Sequence, residues 1–159
     1  MLKMTVLHAL SMATLLGMVV QVEPACAEGR LPQGGSYELT ARLEIPHLEH
    51  WAVDKSTIIC LPSSLKNNDL PIPIVSANNP FANCSSANVT AGVSILEYDI
   101  VCPGRGAAKA HAIYRLSADG FSGRVAMVLG GKNMTMTEVQ QAHRTGECGP
   151  GILGSAARY

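Results

Sequence analysis

The sequence predicts an all-β fold: a curved antiparallel meander sheet or open barrel, stapled by two disulfides. Three observations carry that prediction. Apolar residues recur with a period of two along most of the chain, and no segment shows a long helical stripe. Asp119-Gly120 and Gly130-Gly131 fall between alternating runs, as hairpin connections do. Four cysteines follow a leader-like N-terminus: Cys60, Cys84, Cys102 and Cys148.

The first strand is the clearest element. From Tyr37 to Ile45 the odd positions are Tyr37, Leu39, Ala41, Leu43 and Ile45, and the even ones are Glu38, Thr40, Arg42 and Glu44. Such alternation buries one face and wets the other, and Pro46 ends it. Ser56 to Leu61 reads as a short second strand carrying Cys60. Residues 62–83 hold Pro62, Pro71, Pro73 and Pro80 among several asparagines. They are expected to form a long irregular loop: a lid, a partner-docking segment or a disordered excursion.

A four-stranded meander is expected from Val93 to about Gln141. Leu96, Tyr98, Ile100 and Cys102 form one apolar face, and a five-residue connection from Pro103 keeps the next strand in phase. With Asp119-Gly120 as a two-residue turn, Leu116 falls opposite Gly123, Tyr114 opposite Val125, Ala112 opposite Met127 and Ala110 opposite Leu129. With Gly130-Gly131 as the next, Met127 falls opposite Met134 and Val125 opposite Met136. Both turns place the apolar residues on one face. Ala87, Val89 and Ala91 read as the core face of the preceding strand, with a bend near Gly92. Pairing Cys84 with Cys102 would then set Val89 opposite Glu97, so either a bulge or a Cys84 just outside the strand is required.

Four cysteines allow three pairings. Cys84 and Cys102 lie about equally far from the bend near Gly92, which predicts Cys84–Cys102 and leaves Cys60–Cys148. No C-x-x-C spacing is present, so a zinc knuckle is not indicated.

Lys3, the apolar run from Val6 to Val20, Pro24 and the small-x-small triplet Ala25-Cys26-Ala27 read as an export leader, residues 1–27. The run is interrupted by His8, Ser11 and Thr14 and is short for a membrane span. Lipidation at Cys26 is not favoured, because Glu23-Pro24-Ala25 lacks the leucine expected three residues ahead. A single β domain, residues 28–148, and a flexible tail, residues 149–159, follow. The predicted location is periplasmic or secreted, where paired cysteines persist. Twelve basic residues balance twelve acidic ones, with no basic stripe for nucleic acid and no cationic amphipathic helix for a membrane surface.

The order of these features resembles a family of exported bacterial proteins catalogued as domain of unknown function 3617. The residues that carry the resemblance are Pro32-Gln33-Gly34-Gly35-Ser36-Tyr37-Glu38, Ile58-Ile59-Cys60-Leu61-Pro62, the span from Asn83-Cys84 to Val101-Cys102, and Gly146-Glu147-Cys148. That family usually carries a Trp where Tyr37 stands here; the one Trp in this chain is Trp51. The resemblance implies the β fold and brings no activity with it.

Candidate chemistry is sparse. His47-Leu48-Glu49-His50, beside Trp51, offers two imidazoles and a carboxylate to a divalent metal. On a loop, i and i+3 side chains do not converge as they do on a helix, so an exposed polar loop is the stronger expectation. Met127, Met134 and Met136 invite Cu(I), but the register places all three on the buried face, where methionine fills core space. The cysteines are expected to be oxidised, no Gly-x-Ser-x-Gly elbow is present, and His111 and His143 have no partner visible in sequence. His111 is expected to be exposed. No cofactor is implied.

Ala108, Ala110, Ala112 and Gly123 are small and the methionines pliable, which leaves room on the apolar face for a packed loop or an apolar ligand. The first strand, through Leu39, Leu43 and Ile45, is expected to fill it. The sequence therefore points to a non-enzymatic binding or accessory module for a small apolar ligand or a periplasmic partner protein. A metal-handling protein and a purely structural envelope protein are the alternatives. A dry cavity beneath the meander would favour a ligand, and a filled core a partner surface.

Overall fold

The computed structural model describes residues 30–76, 81, 83–104, 107–130 and 134–149. The leader expected over residues 1–27 lies outside them, as does nearly all of the expected tail. Seven strands form one antiparallel sheet: β1 (Gly35–Glu44), β2 (Lys55–Leu61), β3 (Ser85–Ala91), β4 (Ile95–Val101), β5 (Lys109–Leu116), β6 (Gly120–Leu129) and β7 (Met134–Gly146). Their spatial order is β2-β1-β7-β6-β5-β4-β3. Strands β3 to β7 run as a meander, and the β1–β2 hairpin joins it through β7. The sheet does not close, so β2 and β3 are its edges.

The faces follow the alternation. Tyr37, Leu39 and Ala41 of β1, Leu96, Tyr98 and Ile100 of β4, and Ala110, Ala112 and Tyr114 of β5 are all buried. Ile100 pairs with Ala110 and Tyr98 with Ala112, the alignment that the five-residue connection gives. Two other registers are corrected by two residues each. Tyr114 pairs with Gly123 and Ala112 with Val125, because the turn is Ala118-Asp119, with Ser117 N–H donating to the Gly120 carbonyl at 2.9 Å. Gly120 begins β6, where an added Cβ would collide with the Ala142 carbonyl of β7. The glycine serves that close approach rather than the turn. Likewise Met127 pairs with Met136 and Leu129 with Met134, so Gly130-Gly131 opens a longer connection. A slip of two residues keeps every side chain on its face, which is why the faces hold while the partners change.

On β3 the expected core face is corrected. Val89 is 45 % exposed and Ser86 is buried. A register shift separates Ala87 from Thr90, with Asn88 at φ 52°, and Cys84 and Cys102 both lie just beyond their strand ends. The bulge and the displaced cysteine are both present. The bridges are Cys84–Cys102 and Cys60–Cys148, with Cα–Cα distances of 4.3 and 5.7 Å. Two bridges fit an oxidising compartment. Among the described residues no helix is long and apolar enough to cross a membrane.

The segment after β2 is part of the core. Ile72, Ile74 and Phe81 are fully buried, so a disordered excursion is excluded for the described part. Asn68 and Asp69 lie against β3, where Ser86 donates its N–H to the Asn68 carbonyl at 2.9 Å and its hydroxyl to the Asp69 carbonyl at 2.8 Å. Tyr98 of β4 donates to the Ile72 carbonyl at 2.9 Å, and Gln140 of β7 donates to the Pro73 carbonyl at 2.9 Å. Those strands stand three spacings of about 4.8 Å apart in the sheet, yet they reach adjacent carbonyls. The inner face therefore curves around this strap. The strap, not the first strand, fills the room that the small residues leave. Leu39 lies beside the meander in the same sheet, and Ile45 is 45 % exposed.

Candidate functional site

The strap is tied down by polar groups at core positions. Glu138 and Gln140 sit on the inner face of β7, Glu138 fully buried and Gln140 nearly so. The Glu138 carboxylate accepts the Val75 N–H at 2.9 Å and the Ser76 N–H at 2.8 Å, one on each oxygen, and also an N–H of Gln140. Gln140 accepts from the Tyr114 hydroxyl at 3.0 Å. Burial pushes the Tyr98 and Tyr114 phenols well above their ordinary range, so both remain donors. A buried charge is tolerable only when its acceptor sites are filled in this way.

Among the described residues, the packing beneath the sheet gives way beside Val75 and Ser76. A cleft of about 390 Å³ opens between the strap and the β1–β2 hairpin, walled by Ala41 and Leu43 of β1, Lys55 and Thr57 of β2, and Trp51 and Val53 of the connection. Trp51 is 72 % and Val53 71 % exposed, and Ile45, Leu48 and Ile58 of the same hairpin are also exposed. These are large apolar side chains left in water, with Trp51 and Val53 directly on the cleft. A shallower, polar depression beside the β5–β6 turn, near Asp119 and His143, is open to solvent.

His47 and His50 belong to this hairpin tip. His47 takes a left-handed backbone, φ 68°, and its N–H donates to Glu49 Oε1 at 3.0 Å. The bond from Glu49's own backbone N–H, followed by that from His47, holds the Glu49 carboxyl below its ordinary range, with a lesser contribution from the two imidazoles. The His50 ring rests against Trp51 at 5.2 Å between centroids. Glu49 thus caps a turn, and His50 packs on an aromatic. Among the described residues no group of three or more His, Cys, Asp or Glu side chains is placed to hold a metal ion. Met127 is buried and Met136 packs against the core, but Met134 is 54 % exposed. Its placement in the core is corrected: its pairing with Leu129 puts it at the end of β7.

His111 lies on the outer face, as parity requires, and has partners that the sequence concealed. Nδ1 is 2.8 Å from Asp99 Oδ1, and Nε2 is 3.2 Å from Glu97 Oε1. Asn88, at the bulge, donates to Asp99 Oδ2 at 2.7 Å. The Asn88 and His111 bonds hold the Asp99 carboxyl below its ordinary range. This cluster pins the bulged edge, and both ring nitrogens are already engaged.

No family model, curated protein or solved structure matches the chain. The site is therefore read from its own geometry. In sequence the hairpin tip carries no signal of its own, because Leu48, Trp51 and Val53 are apolar residues in a loop without alternation.

Proposed function

We propose that this is an exported, periplasmic accessory module of bacterial origin, without enzymatic activity, that docks a partner protein through the β1–β2 hairpin end. The observation that carries the reading is the pairing of a filled core with an exposed tip. Ile72, Ile74 and Phe81 occupy space beneath the meander where the small residues left room for an apolar ligand. The large apolar surface instead gathers around Trp51 and Val53, beside a cleft of about 390 Å³. An exposed aromatic next to a pocket has the makings of an interface anchor. The leader-like residues 1–27, the two bridges and the resemblance to domain of unknown function 3617 all support the compartment.

The test is site-specific photocross-linking in the native host. A photoreactive residue at position 51 is expected to give a discrete adduct that Val53→Asp abolishes. The same residue at position 113, exposed on the outer face, is expected to give none. Equal adducts at both positions, or none at 51, would overturn the reading.

A further inference from the structure

An open sheet has two edges, and this one protects them unequally. Natural edges are blunted by bulges, charges, prolines or covering segments. The β3 edge has two of these: the Asn88 bulge, and the strap, whose Asn68 carbonyl accepts the Ser86 N–H. The β2 edge is different. Among the described residues its backbone from Lys55 to Ile59 hydrogen-bonds only to β1, and β2 has no second neighbour in the sheet. At the far end of the strand Cys148 bridges Cys60 and approaches the Leu61 carbonyl. Between Lys55 and Pro62 stand Thr57, Ile58 and Ile59, three β-branched residues in succession that favour extended pairing.

The same strand forms a wall of the cleft, through Lys55, Ser56 and Thr57. Edge and pocket together match the requirements of strand addition: backbone hydrogen bonds supply affinity, and a pocket reads alternate side chains. Resting on the docking role of the hairpin end, we propose that β2 accepts an extended segment of the partner protein as an eighth strand. One apolar side chain of that segment seats in the cleft beside Trp51, and an acidic residue meets Lys55. The charge preference follows from what is already engaged. Arg42 is held by Glu44 at 2.8 Å, and Glu138 is filled by Val75, Ser76 and Gln140. Among the described residues Lys55 makes no ion pair, and the neighbouring Asp54 is not part of the cleft wall.

The experiment uses the oxidised protein and a panel of nine-residue peptides alternating Thr with Val or Leu and carrying Glu or Lys at one end. Binding is read from the emission of Trp51, the one tryptophan in the chain. Glu-bearing peptides are expected to bind and shift that emission. N-methylating one alternate set of peptide amides removes the bonding edge and should weaken binding at least about tenfold, while methylating the other set should not. Lys55→Glu, checked for folding by circular dichroism, should reverse the preference towards Lys-bearing peptides. Indifference to both methylation patterns, an unchanged charge preference in Lys55→Glu, or no binding by any peptide would overturn strand addition. So would sedimentation showing that β2 is occupied by a second copy. If position 51 still cross-links a partner while the peptides fail, strand addition falls and the docking role stands. If both fail, both fall.

Discussion

Replacing Glu138 with Gln tests whether the strap is fastened as described. The substitution keeps shape and volume but removes the charge and one acceptor. Glu138 offers one oxygen to the Val75 N–H at 2.9 Å and the other to the Ser76 N–H at 2.8 Å. A glutamine there accepts from one and turns its own amide N–H₂ towards the other. One charge-assisted bond, about 1.5–3 kcal/mol, is lost, and a part-buried N–H is left facing a donor at about 1–3 kcal/mol. The two figures describe overlapping losses, so the expected cost is about 3 kcal/mol. For a domain of this size that lowers Tm by about 10 °C. Urea denaturation gives the global cost. Limited proteolysis supplies a local readout, with cleavage in 70–76 accelerated more than cleavage in the meander. A cost below about 1 kcal/mol with unchanged proteolysis would refute the fastening role.

The Cys60–Cys148 bridge closes a separation of 88 residues and Cys84–Cys102 one of 18. The chain-entropy model gives ceilings of about 4–5 and about 3 kcal/mol, so in denaturant melts the Cys60→Ser/Cys148→Ser pair should cost more than Cys84→Ser/Cys102→Ser. Gly123→Ala would drive a Cβ into the Tyr114 ring and against the Ile113 carbonyl at 2.5 Å, and calorimetry should show a loss of about 1–3 kcal/mol. Asp99 has a folded pKa below its unfolded one, so its contribution is present above about pH 4 and disappears as pH falls through the folded value. The stability gap between wild type and Asp99→Asn should therefore close in acid, as urea melts across pH would show. Met127→Leu should cost less than about 1.5 kcal/mol by thermal melting, as a volume-conserving core swap.

The faces of β1, β4 and β5 were legible because burial imposes period two, which Leu39, Tyr98, Ile100 and Ala112 obey; the bulge at Asn88 breaks it on β3. Exact partners in the later hairpins were less so. Gly120 is chosen by the carbonyl of Ala142 on the next strand, some twenty residues along the chain, and no local turn rule contains that information. A packed loop was one of the two occupants the small residues allowed, but the strap's prolines spell irregular loop, although Leu70, Ile72 and Ile74 alternate. A second signal lay in β7: Glu138 and Gln140 occupy core-face positions, and polar residues there require something polar to meet. The hairpin tip could be located only once its neighbours were known, since an exposed Trp51 and a buried one look alike in sequence.

The two bridges are nested, Cys84–Cys102 lying wholly inside the loop closed by Cys60–Cys148. Of the four bridged cysteines, a chain emerging from its N-terminus presents Cys60 first and Cys84 second, so oxidising these in order of appearance would join the wrong pair. Strand β1 meets the same delay, since its meander-side neighbour β7 emerges last. Maturation therefore depends on holding the first thiol in reserve, or on reshuffling an early mispaired bridge. Yield in cells should accordingly track the supply of a disulfide isomerase more closely than the supply of oxidant.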